Sequence, residues 1–321
     1  MMKKVIYGAF GLYILAASQP SFSQTVTNSG RLGGSKVFAA KSLPKGGAAL
    51  GLEEEYFQSN QIPFDGENHF HATQFFFTYA PFSYTQFFIN RKIELTMSQD
   101  HDEILSSYVL LPSEIGTLFH YPLHQSFSIG LEPSVTFFNG NKIKAFHGTS
   151  PGIRGLTTYT TLFGKERSPI HFNANVQYFM NHSRNLIHKY DFSRLSHPSL
   201  YGLSQYYSLN YGLGIEAELP YFTSFIEYSL DHMLRSHIPL FKNPNRLSTG
   251  LKIKLSRNSA WMLHLGGDFG FAYKRFTYVT PTPHVKGFAG LHYTFGSQTP
   301  RATVESTPLH LQPDTQQQST P

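Results

Sequence analysis

The chain has 321 residues, with an aromatic content of 15% (29 Phe, 19 Tyr) and a charged content of only 14%. Soluble globular chains carry charged residues at roughly 25%, so something other than water meets much of this surface. The absence of cysteine excludes disulfides, thiolate metal centres, a cysteine nucleophile and a lipid-modified Cys, and the 26 Lys+Arg are scattered among 20 Asp+Glu without a basic tract, which argues against nucleic acid as a partner.

In chain order, residues 1–23 combine a cationic start (Lys3, Lys4), an apolar run from Val5 to Ala17 and small residues around Ser21-Phe22-Ser23. That pattern reads as a secretory signal peptide. The run is shorter than the roughly twenty apolar residues a membrane helix needs, and no second run approaches that length. Residues 24–45, with Gly30, Gly33, Gly34 and Lys36, read as a periplasmic lead-in or a short plug, with a mobile lead-in preferred.

From residue 46 to 296 apolar and polar residues alternate with period two, the signature of strands with one apolar face and one wet face. In 169–181, Ile170, Phe172, Ala174, Val176, Tyr178 and Met180 oppose His171, Asn173, Asn175 and Gln177. The same split recurs in 126–138, 205–219, 246–256, 260–274 and 284–296, and more weakly in 46–57, 70–80, 83–95, 114–122, 151–163 and 221–235, which gives twelve strands. Long gaps (58–69, 96–113, 139–150, 182–204, 236–246, 275–283) alternate with tight ones near Pro81, Pro122, Gly164 to Pro169, Pro220 and Ser256 to Ser259. Membrane barrels show this alternation, with short periplasmic turns and long outer loops. A soluble sandwich also hides one face, but its strands average about five to six residues, whereas a tilted membrane strand needs roughly nine to eleven. The expected fold is all-β: a closed antiparallel transmembrane barrel of about twelve strands in up-and-down order. Arg91 and Glu54 fall in phase with lipid-facing residues, so each should sit at a rim or beside a bulge. Residues 297–321, rich in Gln, Thr, Ser and Pro, are expected to form a disordered periplasmic tail.

The last strand ends Gly290-Leu291-His292-Tyr293-Thr294-Phe295. The spacing of Gly290, Tyr293 and Phe295 resembles the assembly signal of bacterial outer-membrane β-barrel proteins. Two departures are Phe288, where the family prefers a polar residue, and the continuation of the chain beyond Phe295. The resemblance covers 46–296 at the level of architecture and singles out no subfamily. It implies a bacterial (Gram-negative) outer-membrane location, recognition of the last strand by the barrel-assembly machinery, pairing of first strand with last, and outer-membrane lipid and lipopolysaccharide as surroundings. Twelve-stranded members include passive channels, an outer-membrane phospholipase, lipid A deacylases and autotransporter translocators. The nearest string to the phospholipase motif, Asn181-His182-Ser183-Arg184-Asn185, has Ser adjacent to His and lacks the following Gly, and reads as a loop start.

Strand phase points Glu53, Glu55, Glu132, Glu216, Glu218, Glu227, Lys252, Lys254, His264, Asp268, Lys286 and His292 into the lumen. Closure should set Glu53 and Glu55 against His284 and Lys286, and Glu216, Glu218 and Glu227 near Lys252 and Lys254, because a buried charge without a partner is costly. Such a lining either stiffens the wall or passes small hydrophilic solutes, and its mixed signs disfavour strong ion preference. Phe75, Phe77, Tyr79, Phe87 and Tyr178 read as lipid-facing aromatics. Neither His69 and His71 nor His182, His188 and His197 complete a known zinc ligand spacing, so no metal, cofactor or catalytic residue is assigned. The expected function is a passive pore or small-solute channel. The alternatives are a lipid or lipopolysaccharide hydrolase with a His182/Ser183 rim site, and a non-conducting structural or adhesive protein.

Overall fold

The computed structural model of the chain describes residues 26–27, 29, 31–59, 67–100, 103–139, 147–164, 168–183, 204, 206–255, 260–271 and 283–296. The expected signal peptide, the 297–321 tail, and His188 and His197 lie outside the described residues. Twelve strands follow in chain order: β1 (Ala48–Ser59), β2 (Glu67–Phe82), β3 (Thr85–Asp100), β4 (Glu103–His124), β5 (Phe127–Asn139), β6 (His147–Phe163), β7 (Ser168–Phe179), β8 (Ser208–Glu218), β9 (Phe222–Met233), β10 (Asn245–Lys254), β11 (Trp261–Gly270) and β12 (Val285–Phe295). Each pairs antiparallel with its sequence neighbours, and β1 pairs with β12 to close the ring. At that seam Ala48 stands opposite Phe295 and Tyr56 opposite Gly287. Closure leaves no open edge of unpaired N–H and C=O groups, which hydrocarbon would not tolerate.

Period-two phase decides which side chains meet lipid. Phe75, Phe77, Tyr79 and Phe87 are exposed on the outer surface while Phe76, Thr78, Gln86 and Phe88 between them are buried in the bore. Tyr178 is half-buried on the same outer side, 6.5 Å from the Tyr207 ring. Arg91 and Glu54 stay on the outside. A register irregularity does occur beside Arg91, but it lies in the pairing with β4, where Arg91 faces Ser113 and Ile93 faces Leu110. The extra residue is therefore on β4, and the phase of β3 is unbroken. Glu54 accepts a 2.5 Å hydrogen bond from the Thr73 hydroxyl on the same outer face.

The gap expected at 96–113 is not a loop. β3 runs on to Asp100 and β4 starts at Glu103, so the two strands continue as a hairpin. Residues such as Thr96, Ser98, Gln99, Ser106 and Ser107 erase the apolar alternation there, yet ladder hydrogen bonds do not depend on an apolar face.

Inside the wall, four phenylalanines each stand directly opposite a glycine on the next strand: Phe76 on Gly51, Phe88 on Gly116, Phe225 on Gly250 and Phe288 on Gly266. A Cβ built on any of these glycines would come within 2.3–2.7 Å of the facing ring. The missing side chain lets each ring lie against the wall instead of across the bore, a close approach only glycine permits.

The space so preserved is occupied by residues 26–47. This segment makes two small turns, with Ala39 N donating to Leu32 O at 2.7 Å and Gly34 N to Val37 O at 2.8 Å. Gly33, at φ +118, occupies a conformation open to glycine, and a Cβ there would meet backbone atoms at 2.5–2.7 Å. Val26, Leu32, Ala39 and Leu43 pack with Ala49, Phe76 and Ala80, and Phe38 and Ala40 pack with Leu118 and Leu156. The hydrophobic core is thus the contact between this inserted segment and inward wall residues. The segment for which composition favours a mobile lead-in packs inside the wall, because its few apolar residues find inward-facing Phe, Leu and Ala that an all-polar lumen would not have offered.

Candidate functional site: the plugged bore

The plug reaches its partners through three groups of wall charges. In the first, the Arg31 guanidinium lies 3.0 Å from Glu114 on β4 and 2.8 Å from Glu132 on β5. Arg154 of β6 binds the other Glu132 oxygen at 2.5 Å and donates to Gln177 at 2.7 Å. The Phe38 ring of the plug sits under both guanidiniums, 4.6 Å from Arg31 and 4.7 Å from Arg154, and Phe88 holds the Arg31 group at 3.8 Å. Two arginines share two carboxylates and two aromatic faces, an arrangement that compensates charges removed from water.

The second group spans the seam. Lys286 of β12 lies 3.2 Å from Glu55 of β1 and 2.8 Å from Asp268 of β11, Lys92 of β3 also donates to Glu55, and plug residue Lys36 approaches the same carboxylate at 3.9 Å. Burial, reinforced by nearby Lys286, pushes the Lys36 ammonium below its ordinary value, and Glu55 pulls the other way.

The third group is on β8 to β10. Glu216 lies 3.4 Å from Lys252, whose ammonium also donates to the Gly33 carbonyl. Glu227 is turned instead to the plug backbone and accepts from Lys36 N at 2.6 Å and Val37 N at 2.9 Å. Gly34 makes room for it, since a Cβ there would strike the Glu227 carboxylate at 2.0 Å. Two successive turn amides thus satisfy both oxygens of the Glu227 carboxyl group.

Three carboxylates, Glu53, Glu218 and Glu227, take partners other than those expected. Glu53 does not pair with His284 or Lys286. It lies 2.7 Å from Nδ1 of His264 on β11, reaching across Gly290, which stands beside both residues in the ladder and has no side chain to intervene. Glu227 is not beside Lys252 or Lys254, because the plug amides offer it nearer donors. Glu218 accepts from His171 Nε2 at 3.1 Å, and half-buried Lys254 lies nearer the short-turn end, opposite Met262. His292 Nδ1 donates to the plug carbonyl of Val26 at 3.2 Å. Of the assembly-signal residues, Gly290 faces the bore while the Tyr293 ring lies tilted against Trp261, with centroids 4.8 Å apart, and against Phe295, 5.8 Å away.

Arg31, Lys36, Lys41, Lys92, Glu114, Arg154 and His171 join this network without having been assigned to the lumen lining from the sequence. Strand phase alone identifies Lys92, Glu114, Arg154 and His171 as inward, since each neighbours a lipid-facing residue. Nothing periodic marks Arg31, Lys36 or Lys41. Lys41 donates to Thr160 at 3.1 Å and contacts His171 Nδ1 at 3.3 Å. Burial lowers its pKa, with Glu218 and Glu216 opposing. These residues line a cavity of about 210 Å³ near the short-turn end, together with Pro169.

The His182/Ser183 pair is not arranged for hydrolysis. Ser183 is fully buried, donates its hydroxyl to Asn181 Oδ1 at 2.5 Å and accepts from Ser204 N at 2.9 Å, while His182 Nδ1 contacts the Thr149 carbonyl at 3.1 Å. The serine proton therefore points to Asn181 and not to His182. His69 Nδ1 meets the Tyr56 hydroxyl at 2.8 Å on the outer wall. A group with metal-ligand character among the described residues is Glu53, His264 and His292, all buried.

No family model matches the chain, and no curated protein matches it. Among solved structures the chain is similar to the COG4313 outer membrane channel from Pseudomonas putida F1, with TM-score 0.51 and 9% identity over 80% of this chain and 98% of that one. It is also similar to the KdgM porin (TM-score 0.41, 12% identity, 77% and 99% covered) and to LpxR from Salmonella typhimurium (0.42, 8%, 78% and 100%). The fold is that of bacterial outer-membrane β-barrel proteins.

Proposed function

We propose that this outer-membrane barrel is a small-solute channel whose bore is closed by its own residues 26–47. The observation that carries the reading is what fills the bore. Among the described residues a separate segment fills it, fastened by hydrogen bonds and ion pairs that water could replace as well as by apolar contacts. In an eight-stranded barrel interior side chains just fill the space, and 16 to 18 strands leave an open channel, so twelve strands suit a lumen that one inserted strip can stop. Both termini of the barrel lie on the short-turn side, which by analogy with other members is the periplasm. The released lumen would present Glu55, Glu114, Glu132, Lys92, Arg154 and Lys286, a mixed lining that suits small hydrophilic solutes without strong ion selectivity.

A disulfide tests this directly. A Cβ on Gly212 would lie 3.6 Å from that of Val37, within the roughly 3.5–4.5 Å a disulfide spans, and the chain has no cysteine to interfere. Val37→Cys/Gly212→Cys protein in planar bilayers should be silent when oxidised and should conduct when reduced. Conductance through the oxidised form, or silence in the reduced form and after deletion of residues 26–45 from folded protein, overturns the reading.

A further inference from the structure

The seam carries a group of side chains that the plug does not explain. Glu53 on β1, His264 on β11 and His292 on β12 surround Gly290, each with a side chain that is completely buried. Each can place one ligand atom within 4.8 Å of those of the other two, and the imidazole centroids are 5.5 Å apart. Tautomers follow from the partners. His292 Nδ1 meets the Val26 carbonyl, which can only accept, and His264 Nδ1 meets the Glu53 carboxylate. His292 therefore carries its proton on Nδ1 and leaves Nε2 a bare lone pair, and His264 holds a proton on Nδ1 against the carboxylate. Neither Nε2 has a hydrogen-bond partner, although both are buried. Buried acceptors without partners are uncommon and ask for an explanation. Metal-binding histidines show this pattern: Nδ1–H is held by a carboxylate or backbone carbonyl and Nε2 is presented to the ion.

We propose that Glu53, His264 and His292 form a binding site for one divalent transition-metal ion of the zinc class, bridging the first, eleventh and twelfth strands. Two neutral imidazoles and a carboxylate are a donor set that zinc accepts, with a fourth position left for water. Gly290 is the clearing at its centre: a Cβ there would lie 3.1 Å from His292 Nε2 and 3.1 Å from Glu53 Cβ. To ligate beside the two Nε2 atoms, the Glu53 carboxylate gives up its hydrogen bond to His264 Nδ1 and turns toward them. Bound in this way, the ion clasps the seam from inside and holds the His292 ring that receives the plug.

Titration of Zn²⁺ into full-length protein folded in detergent, followed by calorimetry, should reveal one saturable site and a Zn²⁺-dependent rise in unfolding temperature. His264→Ala and His292→Ala should abolish both, and Glu53→Gln should weaken binding about tenfold or more. His69→Ala/His71→Ala, on the outer wall, should leave both unchanged. Heat-modified electrophoretic mobility reports whether each variant is folded, and His264→Gln and His292→Gln replace any alanine variant that is not. Absence of saturable binding by the folded wild type, its persistence in the folded double histidine variant, or full affinity in Glu53→Gln overturns the assignment.

Discussion

At the scale of single residues, Arg31 does the most to seat the plug, since among the described residues it alone joins that segment to Glu114 and Glu132 and to the wall ring of Phe88. Removing one partner from a buried ion pair costs about 3–5 kcal/mol because the other charge stays behind. Arg154 still covers Glu132 after Arg31→Ala, but Glu114 keeps only the neutral Asn90 amide at 3.0 Å. The expected outcome is a barrel that folds normally yet opens far more often, read as a rise in channel events per bilayer insertion. Equal event rates in Arg31→Ala and wild type would show that the plug is held elsewhere. Strand phase made the inward direction of Glu132 legible, because residues of one parity share a face. It carried no information about Arg31, which sits in a stretch with no period, nor about which base Glu53 would meet across Gly290.

Between neighbouring strands, the Phe-on-Gly pairs set the clear width of the bore. Replacing Gly116 by Ala places a methyl 2.3 Å from the Phe88 ring, and overpacking of this kind costs about 1–3 kcal/mol. Urea unfolding of Gly116→Ala in vesicles should show that loss. In a Phe88→Ala background the added cost should shrink by about 0.5 kcal/mol or more, as expected for residues in contact. Additivity of the two changes would show that the ring is not what the glycine accommodates. The twelve strands themselves were legible because lipid enforces a strict apolar parity across each crossing. The β3/β4 hairpin was not, since Thr96, Ser98, Gln99, Ser106 and Ser107 break the apolar parity of the sequence there.

For the molecule as a whole, the apolar exterior decides where it can reside. Leu213 on β8 is 63% exposed and faces outward between Ala174 and Tyr228. Leu213→Arg should lower stability in vesicles by about 2–4 kcal/mol if it lies at the midplane, whereas Arg91→Leu on the same surface should not destabilise. A neutral Leu213→Arg would argue that this band does not face hydrocarbon. Closure of first strand on last followed from strand parity and the final strand, while the filling of the interior did not: an inserted segment gains its order from the wall around it, so its own composition looks like that of a free tail.

The plug is continuous with β1 through Gly46, whose N–H donates to the Ala80 carbonyl at 2.7 Å, so almost no chain separates it from the wall. Once dislodged it stays on a leash of about twenty residues, at most about 70 Å long when stretched, and short flexible leashes hold local concentrations in the millimolar range. Reclosing is then first order and indifferent to how many copies share the membrane, and a free peptide of the same sequence must reach roughly millimolar levels to compete for the vacated bore.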